Sequence, residues 1–235
     1  MNEKKDYKTG CMICGSPLVY SKKIISRKCD ICHNTFVTNA QCSEGHFVCD
    51  KCHSKGISAI LPSLLQNSTE KDPAKLFSEV VNHSLVHMHG PEHHSIMPCV
   101  LLTAFRNNGG KVNDGYLQEA IERGSQVPGG ACGYFGVCGA AVGAGIFASI
   151  VLDSDPLNKE MWALPQLLTS RCLAEIAKVG GPRCCKRTAF LSIKAAALFS
   201  EEFLGVTMPV DIIHCRHISQ NSECIKLECP FFKGA

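Results

Sequence analysis

The chain has 235 residues, a formal net charge of +3 and sixteen cysteines. This length leaves room for one sizeable domain and a smaller one. The near-neutral charge gives no indication of a large basic surface of the kind that binds nucleic acid nonspecifically. No apolar segment follows the charged first residues, so no secretory signal is recognised and a cytoplasmic location is expected. Thiols stay reduced there, and we therefore interpret the cysteines as metal ligands or redox groups rather than disulfides.

The N-terminal segment carries four pairs of metal-ligand residues at short spacing. The pairs are Cys11 and Cys14, Cys29 and Cys32, Cys42 and His46, and Cys49 and Cys52. Two cysteines separated by two residues form a turn whose sulfurs can reach one ion, and eight ligands are enough for two tetrahedral zinc sites. A segment this short has little core of its own, so zinc would supply its folding free energy.

These pairs predict a zinc-binding module over residues 1–56, with short strands at 18–20 and 35–38. The segment resembles zinc-ribbon and cross-brace modules, and CSEGHFVCDKC is similar to the central part of a RING-like finger. No further C-x-x-C pair follows the last one, so a ubiquitin-ligase function is not implied. The spacing leaves open which pairs share an ion. His33 and His53 each directly follow a C-x-x-C pair, and we interpret them as bystanders.

Glu92, His93 and His94 form a second group of polar residues, in the motif HGPEHH. They follow a predicted helix that begins at Pro73 with Asp72 as its cap. Neutral imidazole is a common metal ligand and a general acid or base near pH 7. We predict that these three residues transfer protons or hold a metal ion with an open coordination position. A polar helix end that faces solvent is the structural alternative.

The stretch at residues 128–152 is rich in glycine and alanine and has no charged side chain. Its glycines predict a tight loop leading into a small-residue helix, where backbone N–H groups attract anionic ligands. The residues assigned here to a metal–sulfur cluster or an anionic cofactor are Cys132, Cys138, Gly130 and Gly133. Close packing between helices is the alternative. The apolar part is short for a bilayer span, so no membrane contact is predicted.

Further cysteines lie at the start of the last predicted helix and in the C-terminal segment. The cofactor ligands predicted there are Cys184, Cys215, Cys224 and Cys229. Three tail thiols and a fourth from Cys184, Cys185 or the glycine-rich loop would complete a four-thiolate iron–sulfur site, with a further structural zinc site as the alternative. Cys185 is predicted as a redox or nucleophilic thiol. The basic neighbours Arg183, Lys186 and Arg187 would lower the pKa of both Cys184 and Cys185.

Helical periodicity dominates the remaining sequence, and a strand is indicated only near 210–214. Helices are predicted at 57–65, 73–86, 95–105, 112–123, 161–179 and 184–204, with another ending at 152. We therefore predict a mainly α protein, with a small zinc-binding module followed by a helical, cysteine-rich domain. The domain boundaries are 1–56 for the module, 57–72 for a linker and 73–235 for the helical domain.

Two family resemblances concern the helical domain. HGPEHH, PGGACGYFGVCGAA and GPRCCKR together resemble an uncharacterised prokaryotic domain family, whose members are often labelled SAM-dependent methyltransferases. That resemblance implies SAM as a cofactor. More loosely, residues 95–190 resemble helical proteins named for a C…GCAxxG…C…C pattern, with Cys99 in the first position. This second resemblance implies redox activity.

Three functions follow from these observations. The first is a cytoplasmic metalloprotein with two structural zinc ions and an iron–sulfur cluster for redox or sulfur-transfer chemistry, acting on a small-molecule or thiol substrate. The second is a SAM-dependent methyltransferase. The third is a non-enzymatic adaptor whose zinc module binds a protein or nucleic-acid partner. The first is favoured because nine of the sixteen cysteines lie outside the zinc module.

Overall fold

The structure, a computed structural model, describes residues 8–233 as a β-hairpin followed by helices. The strands are β1 (Leu18–Lys28) and β2 (Thr35–Cys42). The helices are α1 (Asp50–Gln66), α2 (Pro73–Val81), α3 (Glu92–Asn107), α4 (Tyr116–Ser125), α5 (Ala131–Tyr134), α6 (Gly139–Val151), α7 (Ala163–Val179) and α8 (Cys185–Leu204). The predicted fold class, mainly α with a small N-terminal metal-binding module, is confirmed.

The β-hairpin is longer than the sequence predicted. Its strands pair antiparallel, from Leu18 opposite Cys42 to Lys28 opposite Thr35. Most of its side chains are exposed, and a two-stranded ribbon has little stability of its own. Cysteines occupy the position that an apolar core would take. The buried ones are Cys11, Cys29, Cys42 and Cys49.

Helix α1 joins the hairpin to the helical domain. It begins at Asp50, inside the metal-ligand segment, and runs through most of the predicted linker to Gln66. Ile57, Leu61 and Leu65 are buried on its inner face and belong to the main hydrophobic core. The zinc-binding segment is therefore continuous with the helical domain.

Two further contacts hold the hairpin against the helical domain. The Tyr134 hydroxyl, in the glycine-rich loop, donates to the carbonyl oxygen of Ser21 in β1 (2.9 Å). The Arg183 guanidinium, just before α8, lies over the ring of Tyr20 at 4.8 Å from its centroid. The hairpin thus contacts both the loop before α6 and the segment before α8.

Helix α3 is the centre of the helical domain, since every residue from Ser95 to Phe105 is buried. Helix α6 approaches it closely because a Cβ at Gly143 would lie only 2.8 Å from the Cβ of Met97. The rings of Phe105 and Phe147 then meet edge to face at 5.6 Å. The small residues of α6 therefore serve helix packing. Within residues 8–233, no helix is both long and apolar enough to cross a membrane.

The chain between α2 and α3 turns earlier than predicted. Helix α2 ends at Val81 rather than at residue 86, and α3 begins at Glu92 rather than at residue 95. The intervening turn brings the N–H of His87 to the carboxylate of Glu92 (3.0 Å). His83, His87 and His89 thus lie in a turn between two helices, whereas His93 and His94 lie in the first turn of α3.

The segment after α8 folds back over the start of that helix. The strand predicted at 210–214 is wrong: this segment has no regular secondary structure, and the sheet found within residues 8–233 consists of β1 and β2. The Cys215 N–H donates to the Phe231 carbonyl oxygen (2.8 Å), and the Phe231 ring packs on Phe190 of α8 at 5.4 Å. These contacts bring the C-terminal cysteines to α8.

Replacing Asp72 with alanine is expected to lower the free energy of unfolding by about 1–2 kcal/mol. Its Oδ1 accepts from the N–H groups of Ala74 (2.7 Å) and Lys75 (3.3 Å), which caps α2 as predicted. Its Oδ2 accepts from the Asp211 N–H (3.0 Å), which ties the C-terminal segment to α2. Urea denaturation measures the change. Asp114→Ala, at an exposed position before α4, is the matched control, and equal midpoints for the two variants would contradict this role.

Candidate metal centres

The first candidate zinc site consists of Cys11, Cys14, Cys42 and His46, whose ligand atoms all lie within 4.8 Å of one another. The sulfurs of Cys14 and Cys42 are 3.4 Å apart. Two thiolates bound tetrahedrally to one zinc at about 2.3 Å would be about 3.8 Å apart. Nδ1 of His46 is buried without a hydrogen-bond partner, so it can bind an ion. These four residues fit a zinc ion.

The second candidate zinc site consists of Cys29, Cys32, Cys49 and Cys52, again with all ligand atoms within 4.8 Å. The sulfurs of Cys32 and Cys49 are 3.8 Å apart. The Cys49 N–H is directed at the sulfur of Cys29 (3.4 Å), the kind of hydrogen bond that orients a metal-bound thiolate. Four sulfurs at this spacing also fit one zinc ion.

The two zinc sites are interleaved along the chain. The first site takes the first and third ligand pairs, and the second site takes the second and fourth. This is the cross-brace arrangement, and it answers the question of pairing that the spacing left open. Because each site encloses part of the other's sequence, the loss of one ion should loosen both.

The thiols of these sites have pKa values shifted in both directions. Hydrogen bonds from Ser16 lower the pKa of Cys14 to about 6. Burial alone would raise the pKa of Cys29, but backbone N–H groups directed at its sulfur lower it to about 6. Burial and the neighbouring thiols raise the pKa of Cys52 to about 12. Each set therefore mixes easily and poorly ionised thiols, and metal binding would displace the remaining protons.

A third cluster, which we call the His–Glu cluster, consists of His53, His87 and Glu92. Its ligand atoms lie within 4.8 Å of one another, and the side chains of His87 and Glu92 are almost fully buried. His53 comes from α1, His87 from the turn after α2, and Glu92 from the first turn of α3. His53 lies outside both zinc sites, as expected, but it belongs to this cluster and is not a bystander of it.

His93 and His94 lie beside this cluster but outside it. Nδ1 of His93 contacts the carbonyl oxygen of Gly90 (3.1 Å), and Nδ1 of His94 contacts that of Val127 (2.9 Å). Burial lowers the pKa of both imidazoles, so both are neutral at pH 7. Of the three residues predicted for metal binding or proton transfer, the structure places Glu92 in the His–Glu cluster and ties the other two to the backbone.

Four of the predicted cofactor ligands meet in one cavity, which we call the tail pocket. Its cysteines are Cys184, Cys215, Cys224 and Cys229. The lining also includes the rings of Phe190 and Phe231 and the polar side chains of Arg187 and Asn221. One thiol comes from the start of α8 and three come from the segment that folds back over it. The structure thus brings together the tail cysteines and Cys184, which precedes them in the sequence by 31 to 45 residues.

Hydrogen-bond donors are directed at the sulfurs of the tail pocket. Cys184 receives the N–H of Arg187 (3.4 Å) and the side-chain amide of Asn221 (3.5 Å). Cys215 receives the N–H of His217 (3.4 Å). Such donors stabilise thiolates and tune iron–sulfur centres.

The prediction that Cys184 and Cys185 have lowered pKa values is wrong. Burial raises the pKa of Cys184, and it raises that of Cys185 to about 12. The guanidinium of Arg187 instead donates to the carbonyl oxygens of Gly180 (2.8 Å) and Pro182 (2.5 Å). Without a bound metal, both thiols are therefore protonated at neutral pH.

Lys186, at the start of α8, is a buried lysine whose burial was not predicted. It is 1% exposed, and its Nζ donates to the carbonyl oxygens of His87 and Met88, the latter at 2.9 Å. Burial lowers the pKa of Lys186, and the carboxylate of Glu92 opposes that shift. Lys186 therefore places a positive charge between the tail pocket and the His–Glu cluster. In the sequence it looks like one of several surface bases, and no local signal marks it as buried.

The glycine-rich loop is separate from the tail pocket. Cys132 is exposed and Cys138 precedes α6, and neither lines that pocket. Gly130 has a left-handed backbone (φ 82°), and a Cβ at Gly133 would meet nothing within 4 Å. The loop follows α4 rather than a strand, so it lacks the strand–turn–helix context of a nucleotide-binding fingerprint.

Comparison with known proteins gives one match. A family described as a family of unknown function (DUF5714) matches residues 61–232. No curated protein and no solved structure matches the chain. The match covers the helical domain and the tail pocket, and it begins after both zinc sites.

Proposed function

Because this chain belongs to the DUF5714 family, which is of unknown function, we propose its function from its metal centres: it is an iron–sulfur protein with two structural zinc ions. The tail pocket would hold the cluster and the cross-brace would hold the zinc. The cluster would supply redox chemistry in a reducing, cytoplasmic setting.

The observation that carries this proposal is the convergence of four thiols in the tail pocket. Four cysteine thiolates are the usual ligands of [2Fe–2S] and [4Fe–4S] clusters. The C-terminal segment has almost no regular secondary structure, and its cysteines are directed inward against α8. A bound cluster would explain why so irregular a segment is held in one place.

The spacing of these thiols favours a cluster over a single ion. The described residues contain three sets whose ligand atoms lie within 4.8 Å of one another, and these are the two zinc sites and the His–Glu cluster. The tail thiols line one pocket without forming such a set. In a [4Fe–4S] cluster each thiolate binds a different iron, so the sulfurs are more widely spaced than around one zinc.

The surroundings of the tail pocket also suit a redox centre. N–H donors at Cys184 and Cys215 would offset the negative charge of the cluster. Lys186 adds a buried positive charge nearby, and Phe190 and Phe231 exclude water. With all four thiols available in the pocket, no iron needs an outside ligand. We therefore favour electron transfer over chemistry at an open iron.

The zinc module would then have a structural and positioning role. Both of its sites are filled by protein ligands alone, as in structural zinc sites. Its hairpin contacts the segment before α8 through Tyr20 and Arg183. A protein or nucleic-acid partner that binds the hairpin would thus lie near the redox domain.

Iron and acid-labile sulfide analysis of anaerobically purified protein tests this proposal. We expect about four irons and four sulfides per chain with a broad visible absorption band. Cys224→Ser should lower the iron content and the absorption. Cys132→Ser, at an exposed thiol outside the pocket, is the matched control and should retain both. Wild-type protein that contains zinc but neither iron nor sulfide would refute the proposal.

A further inference from the structure

We propose that the His–Glu cluster is a third metal site, separate from the zinc cross-brace and the tail pocket. It would hold one divalent transition-metal ion with His53, His87 and Glu92 as ligands. Two imidazole nitrogens and one carboxylate leave at least one coordination position for water or a substrate atom. The ion would be zinc or iron(II), since nitrogen donors disfavour magnesium and calcium.

The geometry of His53 and Glu92 is the main support. Nδ1 of His53 lies 2.9 Å from Oε2 of Glu92, yet both atoms are buried without a hydrogen-bond partner. The two atoms are thus close but not aligned as donor and acceptor. Ligands that bind one ion at about 2.0–2.2 Å lie roughly 3–3.5 Å apart and are directed at the ion, not at each other.

His87 also presents a buried ring nitrogen without a hydrogen-bond partner close to Glu92. This atom is Nδ1, and it lies 3.7 Å from Oε1 of Glu92. Its ring meets the ring of His53 edge on, with 4.7 Å between centroids. Buried polar groups are nearly always paired, so three buried atoms without hydrogen-bond partners in one small cluster need an explanation. A shared metal ion supplies it for all three.

A buried ion pair is the competing explanation. A protonated His53 beside ionised Glu92 would need a well-directed hydrogen bond to offset the cost of burying both charges. The observed contact lacks that direction, and the pair would leave Nδ1 of His87 without a partner. The ion pair therefore accounts for less of the geometry than a metal ion does.

Two features of the backbone leave room for the His–Glu cluster and orient its carboxylate. A Cβ at Gly90 would lie 2.0 Å from Oε2 of Glu92 and 2.3 Å from Cε1 of His53. The N–H of His87 donates to Oε1 of Glu92 (3.0 Å), which fixes the carboxylate and leaves Oε2 for an ion. Such supporting hydrogen bonds are typical of metal-bound carboxylates.

Zinc stoichiometry after equilibrium dialysis against Zn²⁺ tests the site, with iron and sulfide measured on the same samples. Wild-type protein should bind one zinc equivalent more than the two of the cross-brace. His87→Ala and Glu92→Gln should each lose that one equivalent and keep the cross-brace zinc and any iron. His83→Ala, a partly exposed histidine on the same segment, should keep all three.

Two results would overturn the proposal even if a ligand variant misfolds. Wild-type protein that saturates at two zinc equivalents would exclude the site without any variant. Gly90→Ala keeps all three ligands but crowds two of them, so it should weaken the third equivalent at least tenfold while helical content stays unchanged. A folded Gly90→Ala protein with unchanged zinc binding would also exclude it. Acid-labile sulfide reports on the tail pocket alone. Zinc bound by an empty tail pocket would persist in His87→Ala and Glu92→Gln, so failure of the cluster proposal leaves this test intact.

Discussion

Replacing Cys29 with serine is expected to release both zinc ions of the cross-brace and to unfold the hairpin. The side chains of β1 and β2 are mostly exposed, so little apolar burial remains once the metal is lost. A structural zinc contributes about 10–16 kcal/mol to folding in small modules, as much as the whole stability of a typical domain. Because the two sites are interleaved, the loss of one set of ligands should empty the other set as well.

Zinc analysis together with hydrogen exchange measures this effect. Zinc bound by the cross-brace should fall from about two equivalents to nearly none, and the amides of β1 and β2 should lose protection. The helices from α3 to α8 should keep theirs, because their core does not include the hairpin. Cys132→Ser is the control for a cysteine-to-serine change outside the module. Loss of a single zinc with a protected hairpin would show that the sites fold independently.

Replacing Lys186 with methionine is expected to destabilise the helical domain by about 2–5 kcal/mol, from two buried carbonyl groups left without donors. Nζ of Lys186 donates hydrogen bonds to the carbonyl oxygens of His87 and Met88. A methionine side chain fills the same space but has no donor. The variant also removes the positive charge beside Cys184, so iron should dissociate from the tail pocket more readily.

Denaturation midpoints and the rate of iron release measure the two parts of this prediction. Lys194→Met, at an exposed position on the same helix, is the matched control and should change neither. If the two variants have equal midpoints, Lys186 fills space only. If the midpoint falls but iron release is unchanged, the charge of Lys186 does not act on the tail pocket.

Local spacing made the cross-brace ligands readable from the sequence. Each ligand pair is separated by two or three residues, so one turn brings it together whatever the rest of the chain does. The pairing between turns was not readable, because sequential and interleaved arrangements satisfy the same spacing. The hairpin that decides between them is long and mostly polar, and its apolar pattern predicted only parts of it.

The His–Glu cluster could not be predicted from the sequence. His53 lies more than thirty residues before His87 and Glu92, and nothing in its neighbourhood distinguishes it from His33. Only the packing of α1 beside the start of α3 brings it to the carboxylate. The prediction of a lowered pKa for Cys185 was wrong for a related reason. Its charged neighbours are visible in the sequence, but its burial is not.

The sequence predicted which cysteines could serve as ligands in the tail pocket, but not where in the fold they would meet. Its thiols were assigned from their number, and the glycine-rich loop was an equally good source for the fourth one. In the structure Cys184 lines the pocket with the tail thiols, because the C-terminal segment folds back over α8 and not over the loop. The segment near Asp211 is held by Asp72 at the start of α2, a contact that the sequence pattern does not predict.

The positions of these ligands along the chain set an order of events during synthesis. Both zinc sites are complete once Cys52 has been made, whereas the tail pocket also needs Cys229. A nascent chain can therefore take up zinc while α8 is still to be translated. The four-thiol pocket can close only after the helical core exists for the C-terminal segment to fold against. If the tail pocket holds the proposed iron–sulfur cluster and the cross-brace holds zinc, iron-starved cells should contain a folded, zinc-loaded protein whose C-terminal segment is open and can bind its cluster later.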